Sequence, residues 1–65
     1  MCLSTVYVRG DEARDPVARN VADVRIRAGK LVFTDIMGAV TEVDAELDRI
    51  DLMDNYIYIR TREKA

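Results

Sequence analysis

Almost every apolar run in this chain alternates with period two and is cut short by turn residues, so no stretch of ten residues keeps a helical period. Short strands are therefore the building material. From Val21 to Ala28, Val24, Ile26 and Ala28 fall on one face and Asp23, Arg25 and Arg27 on the other, the alternation of a half-buried strand. Cys2 to Val8 is rich in β-branched and aromatic residues and reads as a strand that stops at Arg9-Gly10-Asp11-Glu12, before the loop-like stretch through Asp15-Pro16. The glycine-containing connection Ala28-Gly29-Lys30 joins the second strand to Leu31–Ile36 as a hairpin. Met37-Gly38 ends that strand, and another begins over Ala39 to Val43. Leu47, Ile50 and Leu52 break the alternation by a three-residue step, which a β-bulge near Asp48-Arg49 repairs; a helical turn from Asp44 to Arg49 is the alternative. After the turn at Met53-Asp54-Asn55, Tyr56 to Arg60 alternates cleanly.

These segments predict an all-β fold of about six short strands, a small antiparallel meander or barrel of SH3- or OB-like type. One domain over residues 1–65 is expected, with the tail from Thr61 to Ala65 not ordered throughout. The expected core is Leu3 or Val6, with Val24, Ile26, Leu31, Phe33, Ile36, Val40, Val43, Leu47, Ile50, Leu52, Ile57 and Ile59.

A 65-residue chain buries only about 60% of its unfolded surface and is marginal alone. The single cysteine cannot form an intramolecular disulfide, and without histidine or a CxxC pair no closed four-ligand zinc site can be built. Oligomerisation is the device left, and a homodimer is expected. Hydrophobic residues at 49% and charged residues at 34% describe a globular protein, and a net charge of -2 argues against general polyanion binding. The apolar run Cys2–Val8 is too short for a signal or membrane segment, so a cytoplasmic location without membrane association is expected, where a free thiol survives.

No enzyme is expected. General acid–base chemistry needs two groups in different environments around a pocket, and a small barrel filled by its own side chains has little room for one. Asp44, Glu46, Asp48 and Asp51 lack the spacing, glycine and closing glutamate of a calcium loop, and read as solvated charge.

Cys2 is where chemistry concentrates. If Met1 is removed, one Cα carries both a thiolate and a free α-amine, which close a five-membered chelate ring on a metal, and the deprotonated amide nitrogen of Leu3 adds a third donor in the same plane. Amine, amidate and thiolate favour square-planar nickel(II) or copper(II) over tetrahedral zinc. The plainer reading of a lone cysteine is a small apolar strand residue. At the other end, Tyr56, Tyr58, Arg60, Arg62 and Lys64 share the outward face of the last strand. Small barrels bind single-stranded nucleic acid with such faces, although outward tyrosines serve dimer interfaces as well.

The opening Met1-Cys2-Leu3, the strand to Val8, Val21-Ala22-Asp23-Val24, the hairpin Gly29-Lys30-Leu31-Val32 with Thr34-Asp35-Ile36-Met37-Gly38, and Ile50-Asp51-Leu52-Met53-Asp54-Asn55 together resemble the CooT family. These are small nickel-binding accessory proteins, associated in some members with nickel supply to carbon monoxide dehydrogenase and often labelled predicted RNA-binding. The resemblance implies a cytoplasmic homodimer of small β-barrels that takes Ni(2+) through the residue after the initiator methionine, here Cys2. Family members can carry further candidate ligands such as histidine. This chain has none, so binding rests on Cys2, its amine and the backbone at Leu3. HypC-type maturation scaffolds also begin with methionine, cysteine and an aliphatic residue, but they usually place a proline where this chain has Thr5-Val6-Tyr7.

Overall fold

The computed structural model describes residues 3–62. Six strands, β1 (Ser4–Val8), β2 (Ala18–Arg27), β3 (Lys30–Asp35), β4 (Val40–Val43), β5 (Ala45–Asp51) and β6 (Tyr56–Thr61), form one sheet in the order β4-β3-β2-β1-β6-β5. No helix occurs among the described residues. The expected all-β fold of six short strands is what forms, with two refinements. Neighbouring strands are antiparallel except β1 and β6, which run parallel, with Val6 beside Ile57 and Val8 beside Ile59. The ladder is also open: β4 and β5 are its two edges.

Those edges are nonetheless joined by one residue, Asp44. At about 3.8 Å per Cα step, Val43 and Ala45 stand within roughly 7 Å of each other. The sheet must therefore roll until its edges meet at that corner, and β3 packs against β5 across the interior. Arg62 ties the corner together. Its backbone N–H donates to Asp44 O at 3.4 Å, and its guanidinium reaches the Asp44 carboxylate at 2.9 Å and Gly29 O in the β2–β3 turn.

Bulges supply the curvature. Leu47 pairs with Ile59 and Arg49 with Tyr58, so Asp48 is the extra residue, where the three-residue step between Leu47 and Ile50 placed it. The helical alternative for Asp44–Arg49 does not form, since those residues sit in the β4–β5 corner and in β5. β2 is irregular twice: between Ala18 and Val21 against β1, and at Ala22 against β3. The second bulge brings Val21 onto the same face as Val24.

Val6, Val21, Leu31, Phe33, Ala45, Ile57 and Ile59 form the buried core, with Val24, Val43 and Leu47 half-buried against it. Of the pair Leu3 or Val6 it is Val6 that is fully enclosed, Leu3 being half-buried. Five expected core residues lie exposed. Ile26 and Ile50 share the inward side with their partners Leu31 and Ile57, but sit at strand ends that no element crosses. Val40 pairs with Thr34 on the outer side, and Ile36 and Leu52 belong to turns.

The β2–β3 connection is a two-residue loop in which Ala28 (φ 52°) and Gly29 (φ 77°) are both left-handed, as a type I′ turn requires. For alanine that conformation costs roughly 1–2 kcal/mol. Ala28→Asn keeps the backbone and installs the preferred Asn-Gly pair. A gain of about 0.5–1 kcal/mol is expected, read as a higher urea midpoint at unchanged m-value; an unmoved or lowered midpoint would contradict the strain at Ala28.

Candidate functional site

Two regions carry the chemistry singled out in the sequence, the start of β1 and the outer face of β6. Cys2 lies outside the described residues; Leu3, half-buried, leads directly into β1. β1 is an interior strand of the sheet, flanked by β2 and β6. Its first residues are held on both sides: Ser4 is the register partner of Val21, and the Thr5 N–H donates to Asn55 O at 3.0 Å. The backbone just after Leu3 is thereby fixed by the sheet.

Ile57 and Ile59 point inward and Tyr56, Tyr58 and Arg60 outward, as the alternation required. Lys64 lies outside the described residues. The parallel pairing brings Tyr7 opposite Tyr58, which the sequence reading did not anticipate. The Tyr7 and Tyr56 rings meet edge to face at 5.7 Å, and those of Tyr56 and Tyr58 at 6.2 Å. Arg49, opposite Tyr58 on β5, lays its guanidinium over the Tyr58 ring at 5.6 Å. Strand alternation puts Tyr7 outside with Thr5, but nothing local in the sequence couples the first strand to the last.

The arginines of this face are committed to carboxylates. Arg60 reaches Glu46 and Asp48, both at 3.3 Å; Arg62 reaches Asp44 and Glu46; and Arg9 pairs with Asp48. The expectation that Asp44, Glu46, Asp48 and Asp51 are surface charge becomes specific: the first three alternate with Arg62, Arg60 and Arg9, and Asp51 pairs with Arg49 at 3.4 Å. A shallow groove of about 590 Å³ runs among Val8, Arg9, Glu46, Arg60, Thr61 and Arg62. A second concavity of about 240 Å³ lies between Arg9, Glu12, Arg49 and Tyr58. There the Gly10 N–H donates to the Glu12 carboxylate at 3.0 Å, which holds Glu12 below the usual carboxylate range. Stacking a base needs an open ring and binding its phosphate needs an uncommitted cation. With Tyr58 capped by Arg49, and Arg60 and Arg62 paired to acids, this face offers a nucleic acid fewer open groups than the sequence pattern suggested. Among the described residues, no three of His, Cys, Asp and Glu converge as metal ligands.

The family model described as CO dehydrogenase accessory protein CooT matches residues 1–60. The chain belongs to the CooT family. A crystal structure designated as CooT from Carboxydothermus hydrogenoformans superposes on 95% of this chain and 100% of its own with a TM-score of 0.83, at 16% identity. At that identity the likeness establishes the fold, an independent match to the rolled six-stranded sheet. No curated protein matches the chain. By its description the CooT family is accessory to an enzyme and is not itself one, in line with the reading of this chain as non-enzymatic, and it implies an enzyme as recipient.

Proposed function

We propose that this CooT-family chain is a nickel(II)-binding accessory protein of CO dehydrogenase, which holds the metal through Cys2. The observation that carries the reading is the family match over residues 1–60, a span that includes Cys2, the only cysteine in a chain without histidine. The chemistry of the donors supports it. Once Met1 is gone, thiolate and α-amine share one Cα, and the deprotonated amide nitrogen of Leu3 adds a third donor in the plane that suits nickel. The sheet fixes the backbone immediately downstream, through the Thr5 N–H to Asn55 O bond and the Ser4–Val21 register. The metal is cargo for the recipient enzyme. The working unit is a homodimer in the cytoplasm, a reading supported by the small core, seven buried apolar residues among those described, and by the exposed Ile26, Val40 and Ile50.

Native mass spectrometry with and without nickel tests these points together, since one spectrum reports methionine removal, subunit count and metal stoichiometry. A nickel-free monomer under all conditions would refute the proposal. The amine is tested separately. A free α-amine titrates near 7.7–8.0 and a free thiol near 8.5, so at neutral pH both are mostly protonated and the metal must displace protons. Affinity is expected to rise steeply between about pH 6 and 8, with protons released on binding. Protein retaining Met1, or carrying a tag before it, is expected to bind nickel far more weakly and to lack the charge-transfer absorption of a planar nickel thiolate. Equal affinity and identical spectra for processed and tagged protein would remove the amine from the ligand set.

A further inference from the structure

Two turns of this sheet are built alike, and each carries an apolar pair that the fold does not bury. In the β3–β4 turn the Asp35 Oδ1 accepts the N–H groups of Met37 and Ala39, both at 2.9 Å. In the β5–β6 turn the Asp51 Oδ1 accepts those of Met53 and Asp54, at 3.0 and 3.1 Å. Each carboxylate thus locks a turn in the manner of an Asx-turn. Each turn then holds an aliphatic–methionine pair in solvent: Ile36 is 56% and Met37 86% exposed, Leu52 82% and Met53 91%. A turn needs no apolar residue at these positions, and leaving such side chains in water forgoes the stability their burial would give, twice over.

The two turns are linked to the start of β1 by a continuous row of register partners. Asp35 lies beside Val21 and Val21 beside Ser4; Thr5 lies beside Tyr56 and Tyr56 beside Asp51. Four strand spacings of about 4.8 Å place the turns within roughly 19 Å of each other across the rolled sheet, one on either side of the β1 start. That is the end of the sheet at which Leu3 leads into β1.

We propose that these two turns are the docking surface for the protein that receives the metal, and that they insert as two apolar knobs into apolar sockets edged by basic side chains. The inference rests on the accessory role given above. Shape and chemistry argue against a second copy as the occupant. Both pairs are convex, whereas the two concavities of this chain described above are lined mainly by arginines and carboxylates, so a copy presents no apolar socket there. Charge argues for the basic rim: Asp54 is exposed and makes no ion pair with any described residue, and two copies apposed through this turn would bring like charges together. Methionine suits such a knob because its flexible thioether adapts to an irregular socket.

The test is titration of nickel-loaded full-length protein into purified nickel-free CO dehydrogenase from the same organism. The variants compared are Ile36→Ser with Met37→Ser, Leu52→Ser with Met53→Ser, and all four together. Both aspartates are kept, so the turns remain locked, and far-ultraviolet spectra check the fold. Each serine pair is expected to weaken binding at least tenfold and the four together to abolish it, while the swap Leu52→Met with Met53→Leu retains wild-type affinity. Absence of binding by the wild type, or less than a tenfold loss in the variants, overturns the proposal. So does conversion of a dimer to monomers by the serine pairs, which would make the turns a self-interface. Nickel stoichiometry measured on the same samples keeps the two ideas apart: a wild type that takes up no nickel defeats the functional reading, and serine variants that load nickel normally yet dock normally defeat only this one.

Discussion

The Cys2→Ser protein is expected to bind no nickel at neutral pH while keeping the far-ultraviolet spectrum of the wild type. Serine leaves the amine and the backbone amides in place but replaces a polarisable thiolate by a hydroxyl that stays protonated at this pH, so the planar set loses the donor that selects nickel. Nothing else in the chain substitutes for it: the sequence has no histidine and no second cysteine, and among the described residues no three acidic or sulfur ligands converge. Asp44, Glu46, Asp48 and Asp51 are occupied by Arg62, Arg60, Arg9 and Arg49. The fold is indifferent to the change because the core is assembled from Val6 onward. One tightly bound nickel per chain in the mutant, seen by native mass spectrometry or equilibrium dialysis, would end the assignment of Cys2 as ligand.

Phe33→Ala is expected to remove a large share of the folding stability. Phe33 is 1% exposed, the bulkiest of the fully buried side chains, and lies in β3 between Val24 on β2 and Thr41 on β4. Removing a buried phenylalanine costs about 3–5 kcal/mol, and a domain of this size has only about 3–10 kcal/mol to lose at 0.05–0.15 kcal/mol per residue. Ile36→Ala is the informative control. Ile36 is three residues away but 56% exposed in a turn, and its loss should shift stability by no more than about 0.5 kcal/mol. Urea denaturation of both variants checks the contrast, and a Phe33→Ala loss below about 1 kcal/mol would mean that the rolled sheet is not held from its interior.

The legibility of this fold was uneven, for reasons that differ by residue. The step from Leu47 to Ile50 was readable as a bulge because both residues are large and must face the same side, and the extra residue is indeed Asp48. The equivalent step from Val21 to Val24 was hidden, since alternation already looked clean from Val24 onward and Val21 was left out of the core it belongs to. Ala45 was missed because a small residue gives no periodic signal. Ile26, Ile36, Val40, Ile50 and Leu52 were overcounted, since hydrophobicity marks a side chain as able to be buried without saying that anything crosses over it. The parallel pairing of β1 with β6, and with it the meeting of Tyr7 and Tyr58, is a contact between the two ends of the chain that no local pattern encodes. Cys2 was singled out by donor chemistry and lies outside the described residues, whereas the turns at Met37-Gly38 and Met53-Asp54-Asn55 were readable as turns and their locking by Asp35 and Asp51 showed only in the hydrogen bonds.

The parallel seam between β1 and β6 also bears on how the molecule assembles. Every other strand pair joins segments consecutive in sequence, so β1 to β4 zip as one meander and β5 with β6 as a separate hairpin, each by short-range closure. Only the seam brings together residues about fifty positions apart, and the entropy of closing so long a loop falls on that one step. The two half-sheets are thus kinetic neighbours before they are structural ones, connected through Asp44 like the pages of a folder through its spine. The start of β1, paired with β2 in the meander, gains β6 as its second neighbour only as the folder shuts. The backbone that follows Leu3 is therefore held on both sides only in molecules that have completed folding, and the proposed nickel uptake is expected to depend on the integrity of the whole sheet.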